Sequence, residues 1–209
     1  MATGRLIVLE GIDGAGTTTQ AQRLHDALKA EGRDVHLTRE PSDGPIGRLL
    51  REVLAGKHRP VDAPTMALLF AADRADHLAR EVEPALKRGA VVISDRWYHS
   101  SLAYQGSEED REWILTLNAK ARRPDLTIVL EVPPEVAAER RAAEQRNEEL
   151  YDAIETQRKV AQTYRMVVNR LQDREWIVVL DGSLSLDEVA AEVHRLALET
   201  CAGAGEKAP

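Results

Sequence analysis

Five short runs of apolar and β-branched residues punctuate the chain: Leu6–Glu10, Val35–Arg39, Val91–Asp95, Thr127–Val132 and Trp176–Asp181. Each is separated from the next by a longer stretch whose apolar residues recur at helical spacing. A parallel neighbour in a sheet is reached only by a crossover, and here the crossovers are helical, so the pattern predicts an α/β fold of three layers. Its centre is a five-stranded parallel sheet with helices on both faces.

The helical stretches carry their own start and stop signals. Ala21, Leu24, Ala27 and Leu28 share a face, and Gly32 ends that helix. A short helix is predicted around Ile46–Ala55. A longer one has Pro64 in its first turn, carries Met66, Leu69, Phe70, Leu78 and Val82, and stops at Gly89. Beyond Pro133-Pro134 the charged segment from Glu135 to Asp173 reads as mostly helical, and Leu186, Val189, Ala190, Val193 and Leu196 define a last amphipathic helix. No Gly/Ser linker divides these elements, so residues 1–201 read as one domain, with 202–209 a flexible tail.

Composition narrows the function. A chain of 209 residues buries on the order of 70% of its unfolded surface and needs no staple. Its single cysteine, Cys201, cannot pair within the chain, which points to a reducing, cytoplasmic setting and excludes structural zinc. No apolar run approaches the ~18 residues of a membrane span, and the N-terminus lacks the order of a signal peptide. With 28 Lys and Arg against 35 Asp and Glu, the net charge of −7 argues against a nucleic-acid partner. Any anion must be held locally.

Directly after the first strand stands Gly11-Ile12-Asp13-Gly14-Ala15-Gly16-Thr17-Thr18-Thr19, and a helix follows at once. This is the layout of the phosphate loop G-x-x-x-x-G-K-[ST], with Thr17 in the lysine position and Thr18 in the hydroxyl position that ligates Mg²⁺. The glycines let the loop turn tightly and aim successive backbone N–H groups inward, a nest the helix N-terminus extends. A plain strand-to-helix turn would use similar letters, but the flanking elements favour phosphate.

In an open parallel sheet, ligands bind beyond the carboxyl ends of the strands, where Asp13, Arg39, Asp95 and Arg96 all fall. Phe70 and Arg74 lie one helical turn apart and can project on one side, as core ring and surface cation or as a platform and hydrogen-bond donor for a base. Ser101, Tyr104 and Gln105 share a face if their segment is helical.

In several motifs, met in order, the chain resembles the thymidylate kinase family: Glu10 to Gly16 with Thr18-Thr19-Gln20, then Thr38-Arg39-Glu40-Pro41, Phe70-Ala71-Ala72-Asp73-Arg74, and Asp95 to Gly106. The resemblance implies a P-loop NTPase-type fold with a helical lid at about residues 133–151, and transfer of the ATP γ-phosphate to dTMP with Mg²⁺ on Thr18 and Asp95. Phe70 then packs on thymine, Arg74 meets a ring oxygen, Ser101, Tyr104 and Gln105 line the nucleoside pocket, and Arg39 grips the acceptor phosphate. Arg96 binds the transferring phosphates, Asp13 lies near the substrate's 3′-hydroxyl and phosphate, and a lid arginine among Arg140, Arg141 and Arg146 assists transfer. Asp181-Gly182-Ser183 resembles the adenine-side loop, and Tyr151-Asp152 with Gln157, Val160 and Tyr164 resembles a variant of the segment after the lid. Members of the family are homodimers. Two other readings stay open: a kinase of another nucleoside monophosphate, and a nucleotide-binding module that lost transfer along with its lysine.

Overall fold

A computed structural model of the protein describes residues 4–107, 109–144 and 150–203. The five strands are β1 (Arg5–Gly11), β2 (Val35–Arg39), β3 (Val91–Asp95), β4 (Leu126–Glu131) and β5 (Ile177–Asp181). Each lies within one residue of its predicted bounds. They form one sheet in the order β2-β3-β1-β4-β5, every pair parallel. Between them run α1 (Thr17–Ala30), α2 (Pro45–Leu54), α3 (Ala63–His77), α4 (Glu83–Lys87), α5 (Tyr98–Tyr104), α6 (Arg111–Leu117), α7 (Pro134–Glu144), α8 (Leu150–Leu171) and α9 (Leu186–Cys201).

Alternation along β1 explains the layers. Ile7 and Leu9 point into a core with Leu24 and Leu28 of α1 and Val189, Val193 and Leu196 of α9. Leu6 and Val8 point the other way, toward Val82, Leu86, Trp97, Leu102 and Val167. With both faces covered, the central strand is apolar at almost every position, as a buried parallel strand must be.

The predicted long helix is not continuous. It runs as α3, then as a π-turn over Leu78–Val82, then as α4. Pro84 is the cause: it offers no N–H to the carbonyl four residues back, and its ring crowds that carbonyl, so the preceding turn widens. In α9 the start is fixed by a capping box in which Ser185 and Glu188 each bond the other's backbone N–H.

Register places the chemistry. Leu9 on β1, Asp95 on β3 and Arg39 on β2 stand side by side at the carboxyl ends of adjacent strands. One cleft above β1 and β3 therefore receives the loop after β1, the end of β2 and the start of α5.

Candidate active site

The loop between β1 and α1 is built for close approach. Gly14 has φ +88°, and a Cβ there would sit 2.4 Å from the Ala137 carbonyl of α7, so only glycine lets α7 pack on the loop. Gly16, at φ +94°, turns the chain into α1. No side chain caps α1, unlike α3 and α9, so its first N–H groups face the loop unclaimed by a cap.

Thr18 and Asp95 meet at the floor of the cleft. The Thr18 hydroxyl donates to Asp95 Oδ2 at 2.5 Å, while Asp95 Oδ1 is buried with no partner among the described residues. Among the described residues no cluster of three or more His, Cys, Asp or Glu gathers for a metal. One hydroxyl and one carboxylate beside a phosphate loop are the sparse, hard oxygen set that Mg²⁺ uses when phosphates complete its shell.

Beside the loop lies a cavity of about 340 Å³ lined by Phe70, Arg74, Ser101, Tyr104 and Gln105, together with Asp13, Glu40, Pro41 and Arg96. Six of the seven residues expected around the acceptor thus share one cavity. Arg39 does not: it lines the neighbouring cleft with Thr18 and Asp95, exposed, with Asp43 at 3.5 Å. Phe70 is half-buried, and Gln105 Oε1 is buried without a partner among the described residues.

Arg74 is no surface cation. It is 2% exposed and donates through Nε (2.8 Å) and Nη2 (2.6 Å) to Glu40 Oε2, and through Nη1 to Ser101 Oγ (3.1 Å) and Asn118 Oδ1. Four of its five N–H groups are committed, which leaves one on Nη2 for a ligand. Glu40, which the sequence marks only as the turn into Pro41, is the counter-ion, and it also faces His77 Nδ1 at 3.3 Å.

Arg96 sits at φ +76°, a left-handed backbone unusual for an L side chain. Its guanidinium donates to the Gly11 carbonyl (3.0 Å), Ser100 Oγ (3.2 Å) and Asp13 Oδ1 (2.7 Å), and lies over the Tyr104 ring at 5.2 Å. Burial opposes its charge, but the Asp13 and Glu10 carboxylates nearby help hold it cationic. Burial in turn pushes the Tyr104 hydroxyl well above its ordinary range.

Of the three arginines expected to serve a lid, Arg140 gives both terminal nitrogens to the Gly182 carbonyl at 3.0 Å, tying α7 to the loop after β5. Arg141 instead packs against the loop: its Cγ would lie 3.1 Å from a Cβ on Gly14, and its Nε and Nη2 are buried without partners among the described residues. Arg146 lies outside the described residues, as do the side chains of Tyr151 and Asp152.

Ser100, Glu10 and Asn118 complete the site without having been singled out for a role. Gln157 and Tyr164, named from the sequence only within the segment that resembles a family variant, are seven apart on α8 and so share a face toward the loop.

A family model described as thymidylate kinase matches residues 9–193. The probable thymidylate kinase of Pyrobaculum aerophilum is 42% identical over 191 residues, covering 91% of this chain and 94% of that protein. That of Thermococcus onnurineus is 40% identical over 200 residues (91% and 98%), and that of Pyrococcus abyssi 39% over 199 (92% and 95%). Similarity of this extent runs through every element that builds the cleft, and the chain belongs to the thymidylate kinase family.

Proposed function

We propose that the protein is a dTMP kinase, transferring the γ-phosphate of ATP to dTMP to give dTDP and ADP. The observation that carries this reading is the single cavity joining Phe70, Arg74 and Tyr104 to Asp13 and Arg96, beside an uncapped phosphate loop. A flat base fits against Phe70, with the spare N–H of Arg74 at its edge. The acceptor phosphate then points toward Arg96. An oxygen of that phosphate forms a bond to the γ-phosphorus as the bond to the β,γ-bridging oxygen breaks, and ADP leaves with the electron pair. Such transfer depends on positioning and on cations that neutralise the moving charge.

Thr18 and Asp95 would hold Mg²⁺, which when bound spreads the charge of the nucleotide phosphates. Thr17 supplies only a neutral hydroxyl where the motif has lysine, and Arg141, against Gly14, is the cation best placed to take over. Arg39, at the edge of the metal cleft, grips the acceptor phosphate from the β2 side. The active form is a homodimer working in the cytoplasm; among the described residues no helix is long and apolar enough to cross a membrane. A coupled ADP-release assay tests the reading. ADP should form from ATP with dTMP in preference to dCMP, dGMP and UMP, and equal rates with all pyrimidine monophosphates would sink the assignment.

A further inference from the structure

One carboxylate lies beneath the site without touching the cavity. Glu10, fully buried on β1, accepts four hydrogen bonds. Its Oε1 takes the backbone N–H of Trp97 (2.8 Å) and of Ser100 (3.2 Å), pinning the first turn of α5. Its Oε2 takes the hydroxyls of Ser100 (2.6 Å) and Tyr164 (2.8 Å).

A hydroxyl has one hydrogen. Ser100 and Tyr164 lie 2.9 Å from each other and both reach Glu10 Oε2; with their hydrogens turned to that carboxylate their lone pairs face Arg96 Nη1, 3.2 Å from Ser100 Oγ and 3.5 Å from Tyr164 Oη. The carboxylate thus dictates the polarity of the surface on which the guanidinium rests. The backbone of Arg96 is set separately, by its N–H on the Leu9 carbonyl (2.9 Å) and by the Ser94 hydroxyl on its own carbonyl (2.7 Å). Two anchors fix where the side chain starts; where it ends, the guanidinium rests on these two hydroxyls together with the Gly11 carbonyl (3.0 Å) and Asp13 Oδ1 (2.7 Å).

We propose that Glu10 is a positioning residue for phosphoryl transfer: by fixing the hydrogens of Ser100 and Tyr164 it aims the Arg96 guanidinium at the phosphoryl group. The assignment rests on the kinase reading of the cleft. Burial and the nearby Glu10 charge keep the Tyr164 hydroxyl protonated far above its ordinary range, so it remains a donor at every working pH.

The test is Glu10→Gln, which keeps the shape but presents an acceptor on one side and an NH₂ on the other. With the amide oxygen on the α5 N–H groups, the NH₂ meets the two hydroxyls, which must turn their lone pairs to it and away from Arg96. Misaiming by a fraction of an ångström to an ångström should lower kcat about 10- to 100-fold. The KM for dTMP should change less than about threefold, since ground-state binding is left intact. In an Arg96→Lys background, Glu10→Gln should lower kcat by less than about twofold, because the aimed group is already gone. Tyr164→Phe, which removes one hydroxyl and keeps the ring, should lower kcat several-fold and decides the matter if Glu10→Gln does not fold. A folded Glu10→Gln protein with unchanged kcat, or the same loss in both backgrounds, overturns the proposal while the kinase reading stands. Absence of dTMP-dependent ADP formation in the unsubstituted protein overturns both.

Discussion

Asp13 and Gln157 grip each other twice: the Asp13 backbone N–H donates to Gln157 Oε1 and Gln157 Nε2 donates to Asp13 Oδ2, each at 3.1 Å. The pair joins the phosphate loop to α8 across 144 positions of sequence. Because the same carboxylate also holds Arg96, the loop, the helix and the arginine are tied together through one side chain.

Replacing Gln157 by Leu fills its buried volume but leaves the Asp13 N–H without a partner. A partly buried donor left unsatisfied costs at most about 1–3 kcal/mol, so the free energy of urea unfolding should fall by up to that amount, read as a lower midpoint with the slope unchanged. The KM for dTMP should rise as Asp13 loses its anchor on α8. A stable variant with an unchanged KM would show that the loop is held by other contacts.

Arg74 behaves differently from a simple ligand contact. A residue that only met the base would weaken dTMP binding by about 1.5–3 kcal/mol when cut to alanine. Arg74→Ala also strands Glu40, 6% exposed, beside His77, and breaking such a buried pair costs about 3–5 kcal/mol of stability. The double variant Arg74→Met with Glu40→Leu should therefore be less destabilised than the sum of the two single changes. Additive unfolding free energies would mean that the pair is not coupled.

These pairs also mark what the sequence could tell. The strands, the loop and the capped last helix are local features, written in runs of a few residues, and all were legible. Helical spacing set two faces, Phe70 with Arg74 and Ser101 with Tyr104, while their meeting in one pocket was legible only through the family resemblance. Glu40 as the counter-ion of Arg74 was not, because it depends on how the end of β2 packs against α3, 34 positions away. Glu10 and Tyr164 lie 154 apart, and Arg39 falls in the neighbouring cleft because β2 is the edge strand. The π-turn before Pro84 was hidden for another reason: proline marks a break but not how the helix absorbs it.

Acid should loosen the turn between α8 and β5. Burial alone would raise the Glu175 carboxyl, but the hydrogen bond and charge of His99, whose Nε2 is 2.9 Å away, and a bond from Tyr98 hold it below its ordinary 4.5. The folded state therefore holds that proton less tightly than the unfolded one. Its contribution is complete above the unfolded value and is lost as pH falls through the depressed folded value. Glu175→Gln should be the less stable protein at neutral pH, and the gap between the two should close as pH is lowered from about 6 to about 3. A gap that stays constant in urea unfolding across that range would rule out linkage at Glu175.

Thr17 and Arg141 pose the sharpest question of charge. A phosphate-loop lysine offsets the charge that builds on the β- and γ-phosphates, and removing one such stabilising group commonly costs on the order of 10²-fold or more in rate. Thr17 is buried and neutral, so an active enzyme needs another cation over the loop. Arg140 is committed to the Gly182 carbonyl, whereas Arg141 stands against Gly14 with two buried nitrogens unpartnered among the described residues. Arg141→Ala should therefore cut kcat on the order of 10²-fold, while Arg140→Ala should act mainly by freeing the loop after β5. Thr17→Lys alone should bring little gain, since the new ammonium would crowd a guanidinium already in place and like charges repel. In the Arg141→Ala background the same lysine should restore much of the lost rate. Turnover measured for the four proteins closes the cycle: a large gain from Thr17→Lys with Arg141 present, or an Arg141→Ala variant as fast as the parent, would show that the loop's missing charge is not supplied by Arg141.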